Sequence, residues 1–351
     1  MPSTRPRCIS CSKVLSSWGR TPSGKKRYGC TACKKTRVYQ KHVRKTDIFS
    51  FFKQYVLWGL TYEMLSSFSG YSIQHLVEKF HAYLEQYPPD LPPFIQNPNK
   101  EAYLLIDGLW FGRWFVLMVY RQSGNLTILR ISTMGREAAT RIEKDLEKIK
   151  EDYIFNGIVS DGGTGIVSAI NAVFPHTPHQ VCLAHMHRGI IAAIGRYSKD
   201  YRVQELRRLA DHVWLIESQE ALKWWRRKLN EWVKTNNEFL KEKRYDIDYN
   251  WWHIHKGPRK AVRTLQELPY ISFTFLRHPL MPKTTNEIEG QFGHLGKRWL
   301  AHRGLKKERW EHFLKWFVYF YNQDKRSRGM YHKVRPRGKQ KRTKKSTRNP
   351  N

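Results

Sequence analysis

Residues 103–108 read Tyr-Leu-Leu-Ile-Asp-Gly, and residues 157–163 read Gly-Ile-Val-Ser-Asp-Gly-Gly. Each stretch is a short apolar run, typical of a buried strand, that ends in an aspartate followed by glycine. We therefore expect Asp107 and Asp161 at strand ends, on the edge of a sheet where sites gather in α/β folds. Taken singly, a hairpin turn at Asp107 or a helix cap at Asp161 explains each aspartate equally well.

The pattern around these two runs predicts a mixed α/β fold from residue 101 onward. We expect strands at about 102–107, 113–121, 125–132, 155–160 and 177–182, with helices at about 136–151 and 164–173. This order fits an RNase H-like fold, although the pattern alone does not exclude other α/β folds.

The net charge of the 351-residue chain is +33, and most of it lies at the two ends. Residues 1–46 carry 13 basic and no acidic residues, and residues 323–351, expected to be a disordered tail, carry 12 basic residues and one aspartate. This distribution favours contact with nucleic-acid phosphates over a merely solvated tail. No secretory signal or transmembrane run is recognisable, so we expect a cytoplasmic protein with reduced cysteines.

Two paired cysteine motifs begin the chain, Cys8-x2-Cys11 and Cys30-x2-Cys33, with eighteen residues between them. Four thiolates suit one tetrahedral Zn²⁺, so residues 1–46 are predicted to be a zinc ribbon with a closed structural site. Disulfides or chance cysteines are the alternatives. The many basic side chains of this segment favour a position on DNA phosphates.

Residues 47–86 are predicted to form three helices with the plan of a helix-turn-helix. A helical pattern ends near Phe68, Gly70 supplies a turn, and Ser72 is a suitable N-cap for a helix from Ile73 to about Leu84. The exposed face of this third helix is expected to bring Gln74, His75 and Lys79 to DNA. A plain helical linker is the alternative, and the proline-rich residues 87–100 are expected to be a linker.

A third acidic segment, residues 282–290, reads Pro-Lys-Thr-Thr-Asn-Glu-Ile-Glu-Gly and predicts the start of a helix. Glu287 and Glu289 could be ordinary first-turn acids that the helix dipole favours. Two residues apart on a helix face nearly opposite directions, so only one of them can join the aspartates. Asn286 would share the face of Glu289. Carboxylates from two strands and a helix can hold a pair of divalent ions, which cleave and join phosphodiesters.

In these motifs the chain resembles the Asp-Asp-Glu transposases of bacterial insertion sequences, in the zinc-ribbon-bearing branch of the Mutator-like group. The resemblance covers most of residues 1–322, and residues 106–108, 159–162, 182–185, 282–290 and 302–305 carry it. It implies an RNase H-like core in two parts, residues 101–197 and 277–322, with an α-helical insertion at 198–276. It also implies that Asp107, Asp161 and Glu289, rather than Glu287, are catalytic and hold two Mg²⁺ or Mn²⁺ ions.

The implied activity is that of a DNA transposase that binds insertion-sequence ends, cleaves them and transfers the strand to target DNA. Double-stranded DNA and a homodimer or higher oligomer are the implied partners, and the nucleoid is the implied location. Further DNA contacts are expected from Asn286, Lys297, Arg298, His302 and Arg303. Cys182 and His185 are expected to support the site as a buried cysteine beside a hydrogen-bonded histidine. A DNA-binding regulator with an inactive core and an RNase H-like nuclease without joining activity remain as alternatives.

Overall fold

The structure is a computed structural model that describes residues 6–22, 24–38, 47–90, 96–97, 100–124, 127–195, 197–290, 292, 295, 302 and 304–327. The chain divides into two compact units. Met1–Tyr55 and Tyr62–Phe80 form the N-terminal unit, and Val56–Thr61 and His81–Asn351 form the core unit.

A small antiparallel sheet and three helices make up the beginning of the chain. The strands are β1 (Ser16–Arg20), β2 (Lys26–Gly29) and β3 (Thr36–Val38), and the helices are α1 (Ile48–Trp58), α2 (Tyr62–Ser69) and α3 (Ile73–Leu84). The Ser72 hydroxyl accepts a hydrogen bond from the backbone N–H of His75 at 3.2 Å, which confirms the predicted N-cap. Phe80 of α3 packs against Phe52 and Tyr55, with ring centroids 5.4 and 5.2 Å away.

A five-stranded mixed sheet in the order β6-β5-β4-β7-β8 forms the centre of the core unit, and it confirms the predicted mixed α/β class. Its strands are β4 (Tyr103–Phe111), β5 (Phe115–Gln122), β6 (Ile128–Met134), β7 (Gly157–Ser160) and β8 (His179–Val181). β4, β5 and β6 pair antiparallel, whereas β4, β7 and β8 pair parallel. Helices α4 (Ala139–Asp152) and α5 (Thr164–Val173) bury apolar side chains in one core with this sheet.

The predicted end of the first core strand is wrong. β4 continues through Asp107 to Phe111, because Gly108 and the next residues keep pairing with β5. The turn comes at Gly112, whose φ of +58° lies in the left-handed region that glycine tolerates best. Asp107 nevertheless lies where the parallel pairing of β4 with β7 stops, since Ile106 and Ser160 are the last paired residues.

The segment predicted as a helical insertion is helical for the most part but also contains a hairpin. After α6 (Leu183–Ile194) come α7 (Tyr201–His212), α8 (Gln219–Thr235), α9 (Asn237–Lys241) and α10 (Lys256–Ile271). The hairpin of β9 (Lys243–Tyr245) and β10 (Trp251–His253) precedes α10. Trp225 and Trp232 are buried, whereas Trp214, Trp224 and Trp251 are exposed, so the tryptophans are core residues only in part.

The end of the described chain returns to the sheet. Residues 286–290 are helical, and α11 (Lys307–Ser327) buries a row of aromatic side chains that includes Trp310, Phe313, Phe317 and Phe320. The Asn322 side chain accepts from and donates to the backbone of Ile128, at 3.0 and 2.9 Å. Within the described residues, no helix combines the length and apolar character needed to cross a membrane.

Candidate active site and cysteine cluster

The ends of three neighbouring parallel strands bring the first part of the candidate active site together. Ile106 is paired with Ser160, and Ser160 with Val181, so Asp107, Asp161 and Cys182 come next on β4, β7 and β8. Adjacent strands lie about 4.8 Å apart, which makes these three residues neighbours. The backbone N–H of Cys182 donates to the Ser160 carbonyl at 2.6 Å, and α6 begins one residue later.

The segment that carries the glutamates is attached to these strand ends by Thr285. This buried threonine donates from Oγ1 to Asp107 Oδ2 at 2.9 Å, and its backbone N–H lies 3.3 Å from Cys182 Sγ. The backbone N–H of Leu183 donates to the carbonyl of Lys283 at 3.0 Å. Thr285 therefore fixes the orientation of Asp107 and the approach of the helical residues that follow.

Glu287 and Glu289 point to different partners, as their spacing on a helix requires. Glu287 Oε2 accepts from Arg121 Nη2 at 2.8 Å and from the Gly124 backbone at 3.1 Å. Arg121 is only 3% exposed and also donates to the Glu287 carbonyl at 2.7 Å. Glu289 instead accepts two hydrogen bonds from Arg188, one of them at 2.9 Å from Nη1 to Oε2. Glu289 is therefore the glutamate that faces the aspartates.

Asp107, His185 and Glu289 form the closest group of possible metal ligands in the described part of the core unit. One ligand atom of each lies within 4.8 Å of the others. His185 Nε2 is 3.8 Å from Asp107 Oδ1 and 3.7 Å from Glu289 Oε1. His185 was expected only to support the site. Its Nε2 atom is nevertheless as well placed to bind a metal ion as the carboxylate oxygens of Asp107 and Glu289.

Asp161 lies beside this group rather than within it. Its Oδ1 accepts from the Gly163 backbone at 2.9 Å, which is a local turn before α5 and close to the capping role considered from the sequence. Its charge still contributes to the raised pKa of Asp107, so the two carboxylates are electrostatic neighbours. The structure brings Asp107 and Glu289 together directly and places Asp161 next to Asp107.

The charges of the site are poorly compensated. Burial raises the pKa of Asp107 to about 6, with smaller contributions in the same direction from Asp161 and Glu289, while His185 and Thr285 oppose the shift. The hydrogen bonds from Arg188 lower the pKa of Glu289. The interaction with Cys182 and the charge of Asp107 raise the pKa of His185 against the opposite effect of burial. A buried carboxylate with acidic neighbours suits a bound cation.

The four cysteines of the N-terminal unit form a second cluster. Their four sulfur atoms all lie within 4.8 Å of one another, so the cluster could hold Zn²⁺. The two motifs fold alike: the backbone N–H groups of Cys8 and Cys30 donate to the carbonyls of Lys13 and Lys35 at 2.7 and 2.9 Å. Ser12 and Lys34 occupy equivalent positions with φ of 56° and 57°. The repeated turn directs each cysteine pair to one point.

The residues predicted to contact DNA have different surroundings. Gln74 and Lys79 are exposed on α3, His75 stacks on Tyr71 with centroids 5.3 Å apart, and Asn286 is exposed. His302, expected to contact DNA, is only 5% exposed and packs edge-on against Phe313. The remaining three, Lys297, Arg298 and Arg303, lie outside the described residues.

Sequence reasoning missed several residues that the site uses. Arg121 and Arg188 hold the two glutamates, and neither belongs to a recognisable motif. Glu137, in the connection between β6 and α4, was missed as well. In the folded protein, burial and the charge of Asp161 raise the pKa of Glu137. His185 alone had a signal, because it follows Cys182 by three residues at the start of a helix after a strand.

Comparison with known proteins bears on this arrangement. Residues 118–254 match the family model described as "Transposase, Mutator family". This part of the chain is similar to Mutator family transposases. The match contains Asp161, Cys182 and His185, but Asp107 precedes it, Glu289 follows it, and it spans less than half of the chain. No curated protein matches the chain. The match supports a transposase role.

Proposed function

We propose that this protein is a DNA transposase that binds the ends of an insertion sequence, cleaves them with divalent cations and transfers the strand to target DNA. The observation that carries the proposal is the convergence of Asp107, His185 and Glu289 within 4.8 Å, with Asp161 beside them. The match of residues 118–254 to Mutator family transposases supports the same activity.

The proposed catalytic core is RNase H-like and is interrupted by the mainly helical residues 198–276. Three antiparallel strands followed by two parallel ones, with α4 and α5 packed on the sheet, support this assignment. In the N-terminal unit we propose a zinc ribbon, which the cysteine cluster supports, and a helix-turn-helix in α2 and α3. Gly70, with a φ of +74° between these two helices, suits the turn of such a motif.

The residues of the candidate active site fit divalent cations of the Mg²⁺ or Mn²⁺ class. Asp107 is 1% exposed, and oxygen ligands are the ones these ions prefer, while an imidazole is better suited to Mn²⁺ than to Mg²⁺. Asp107, Asp161 and Glu289 would hold the cations, which supply activation of the attacking oxygen and stabilisation of the developing negative charge. His185, between Asp107 and Glu289, would be a further ligand or would orient these carboxylates.

The protein's own residues prepare the site for this chemistry. Thr285 holds one oxygen of Asp107, so the other oxygen faces the site. Arg188 neutralises Glu289 in the metal-free state. With Glu289 as a cation ligand, the Arg188 guanidinium would be available to contact a DNA phosphate, an interaction that arginine makes well. Arg188 would thus exchange a carboxylate for the substrate.

DNA contacts are proposed on both units, and two DNA ends require at least a dimer. In the N-terminal unit we propose the exposed face of α3 with Gln74, His75 and Lys79. In the core unit we propose Asn286 and the exposed basic row of α10, which comprises Lys256, Arg259, Lys260 and Arg263. These four lie at helical spacing, in the same helix that follows the exposed Trp251 of the hairpin.

The test is cleavage of labelled insertion-sequence ends with Mg²⁺ by Asp107→Asn, Asp161→Asn and Glu289→Gln. Each change is expected to lower the cleavage rate by at least roughly 100-fold, more than loss of an outer metal partner, with end binding unchanged. Asp152→Asn, on the exposed end of α4, is the matched control. Normal cleavage by Glu289→Gln would overturn the assignment.

An assay with a pre-cut DNA end that carries a free 3′ hydroxyl distinguishes a transposase from a nuclease and from a DNA-binding regulator. Joined products with target DNA are expected of a transposase. Cleavage without joining would identify a nuclease, and binding without either would identify a regulator.

A further inference from the structure

We propose that Glu137 is a fourth carboxylate of the cation site, where it shares a divalent ion with Asp161. This inference rests on the proposed function, because it assigns a further ligand to the same site. It gives the second aspartate, which lies outside the closest ligand group, a partner of its own.

Glu137 lies in the space beside two glycines that follow the aspartates. A Cβ added to Gly108, directly after Asp107, would lie 2.8 Å from Glu137 Oε1. A Cβ added to Gly163, two residues after Asp161, would lie 2.5 Å from Glu137 Oε2. Real Cβ atoms do not approach so closely, so a side chain at either position would displace the end of the Glu137 side chain from its present place. Gly108 and Gly163, which follow the two aspartates, therefore border the space that the Glu137 carboxylate occupies.

A third glycine allows close packing against the backbone of Glu137. A Cβ on Gly165, in the first turn of α5, would lie 2.6 Å from the Glu137 carbonyl oxygen. The first turn of α5 therefore packs directly on the connection between β6 and α4. Gly108, Gly163 and Gly165 come from two separate elements, and all three accommodate the same residue.

Glu137 and Asp161 approach each other closely enough to share an ion. The Cβ position on Gly163 that is 2.5 Å from Glu137 Oε2 is also 3.4 Å from Asp161 Oδ1. These two oxygens are therefore no more than about 6 Å apart, and two oxygens that bind one cation at roughly 2.0–2.6 Å each lie within about 5 Å of one another.

The charge of Glu137 has no cationic counterpart in the described part of the chain. Arg121 pairs with Glu287 and Arg188 with Glu289, whereas no lysine, arginine or histidine among the described residues forms an ion pair with Glu137. Two half-buried carboxylates without a counter-charge repel each other, and a divalent cation would reverse that repulsion.

The arrangement divides the site into two groups of ligands. Asp107, His185 and Glu289 form one group, and Asp161 with Glu137 forms the other. Each group would hold one of the two cations proposed above.

The experiment is a Mn²⁺ titration of the full-length protein with zinc retained, followed by calorimetry and by the electron paramagnetic resonance of free Mn²⁺. We expect the wild type to bind two Mn²⁺ ions and Glu137→Gln to bind one of them at least roughly 10-fold more weakly. Gly163→Ala, which displaces the Glu137 carboxylate, should have the same effect. Gly135→Ala is the matched control, because a Cβ there meets nothing within 4 Å.

Thermal unfolding without Mn²⁺ separates a ligand from a purely structural residue. Glu137→Gln keeps the size of the side chain, so its unfolding temperature without Mn²⁺ should not fall. A wild type that binds no Mn²⁺, or a Glu137→Gln protein that binds both ions normally, would overturn the inference. A Glu137→Gln protein that loses stability but keeps its Mn²⁺ affinity would also overturn the inference.

The outcome for Glu137 is also separable from that of the proposed function. If the wild type binds two Mn²⁺ ions, one of them through Glu137, but cuts no DNA end, the assignment of Glu137 stands and the transposase proposal fails. If the wild type cuts ends and Glu137→Gln retains both Mn²⁺ ions, the assignment of Glu137 alone fails.

Discussion

The cysteine cluster and the carboxylate site gather their ligands in opposite ways. The cluster takes four identical residues from two equivalent turns that are eighteen residues apart. The carboxylate site takes unlike residues from β4, the start of α5, α6 and the helical residues 286–290, across 182 residues of chain. Local turns determine the first, whereas sheet register and a docked segment determine the second.

This difference has an energetic counterpart. Thiolates that enclose zinc stabilise the small fold around them, because metal binding and folding are coupled. In the carboxylate site, burial and, to a smaller extent, the neighbouring carboxylates raise the pKa of Asp107, so its ionised form opposes folding. Metal should therefore be essential to the structure of the first region and should relieve strain in the second.

The largest expected effect is the loss of zinc from the cysteine cluster. Structural zinc contributes roughly 10–16 kcal/mol in small zinc modules, more than three short strands can replace. We expect Cys30→Ser to bind no stoichiometric zinc and to expose residues 6–38 to protease. Metal analysis and limited proteolysis measure both effects, and Cys182→Ser, a buried cysteine outside the cluster, should keep one zinc per chain. A Cys30→Ser protein with full zinc would remove the distinction between the regions.

The sequence predicted the local region better than the distant one for the same reason. Two Cys-x2-Cys motifs are sufficient to predict the cluster, and Ser72 was sufficient to predict the start of α3. The end of β4 was mispredicted because pairing with β5, a non-local contact, extends the strand beyond Asp107.

Within the site, only residues with a local pattern were predictable. The opposed faces of a helix indicated that only one of Glu287 and Glu289 can join the aspartates, and the family resemblance assigned this role to Glu289. Arg188 and Glu137 reach the site through the packing of α6 and of the β6–α4 connection, which periodicity does not report. The burial of His302 against Phe313 of α11 is likewise a packing contact that the sequence pattern does not report.

The two glutamates provide the next test, since one is expected to be structural and the other functional. Glu287→Ala leaves Arg121 buried with its carboxylate partner missing, which should cost about 3–5 kcal/mol. Glu289→Ala removes the partly exposed pair with Arg188 and the longer contact with His185, and it should change stability by less than about 1 kcal/mol. Urea unfolding measures both. Adding Arg121→Met to Glu287→Ala should recover part of the loss, and equal effects of the two single changes would contradict the assignment.

A pH-dependent effect of Asp107→Asn tests whether the carboxylate site opposes folding. The pKa of Asp107 rises from 3.8 to about 6 in the folded protein, so its ionisation costs stability once the pH passes this range. Without divalent cations, Asp107→Asn should stabilise the protein by up to about 3 kcal/mol at pH 7.5 and by almost nothing at pH 3.5. Thermal unfolding at both values measures the difference. A gain that does not depend on pH would refute this origin.

The smallest expected effect concerns Arg188, which holds Glu289 in the absence of a cation. The pair is partly exposed, at 52% for the arginine and 32% for the glutamate, so its removal should help a competing cation only modestly. Arg188→Gln should increase Mn²⁺ affinity by no more than about fivefold. Arg227→Gln, an exposed change of the same charge on α8, is the control for net charge in the same titration. Weaker Mn²⁺ binding by Arg188→Gln would mean that the arginine orients Glu289 for the ion instead of competing with it. In that case both regions would be preorganised to bind metal ions. The carboxylate site would then differ from the cysteine cluster in the kind of ligand but not in its preorganisation.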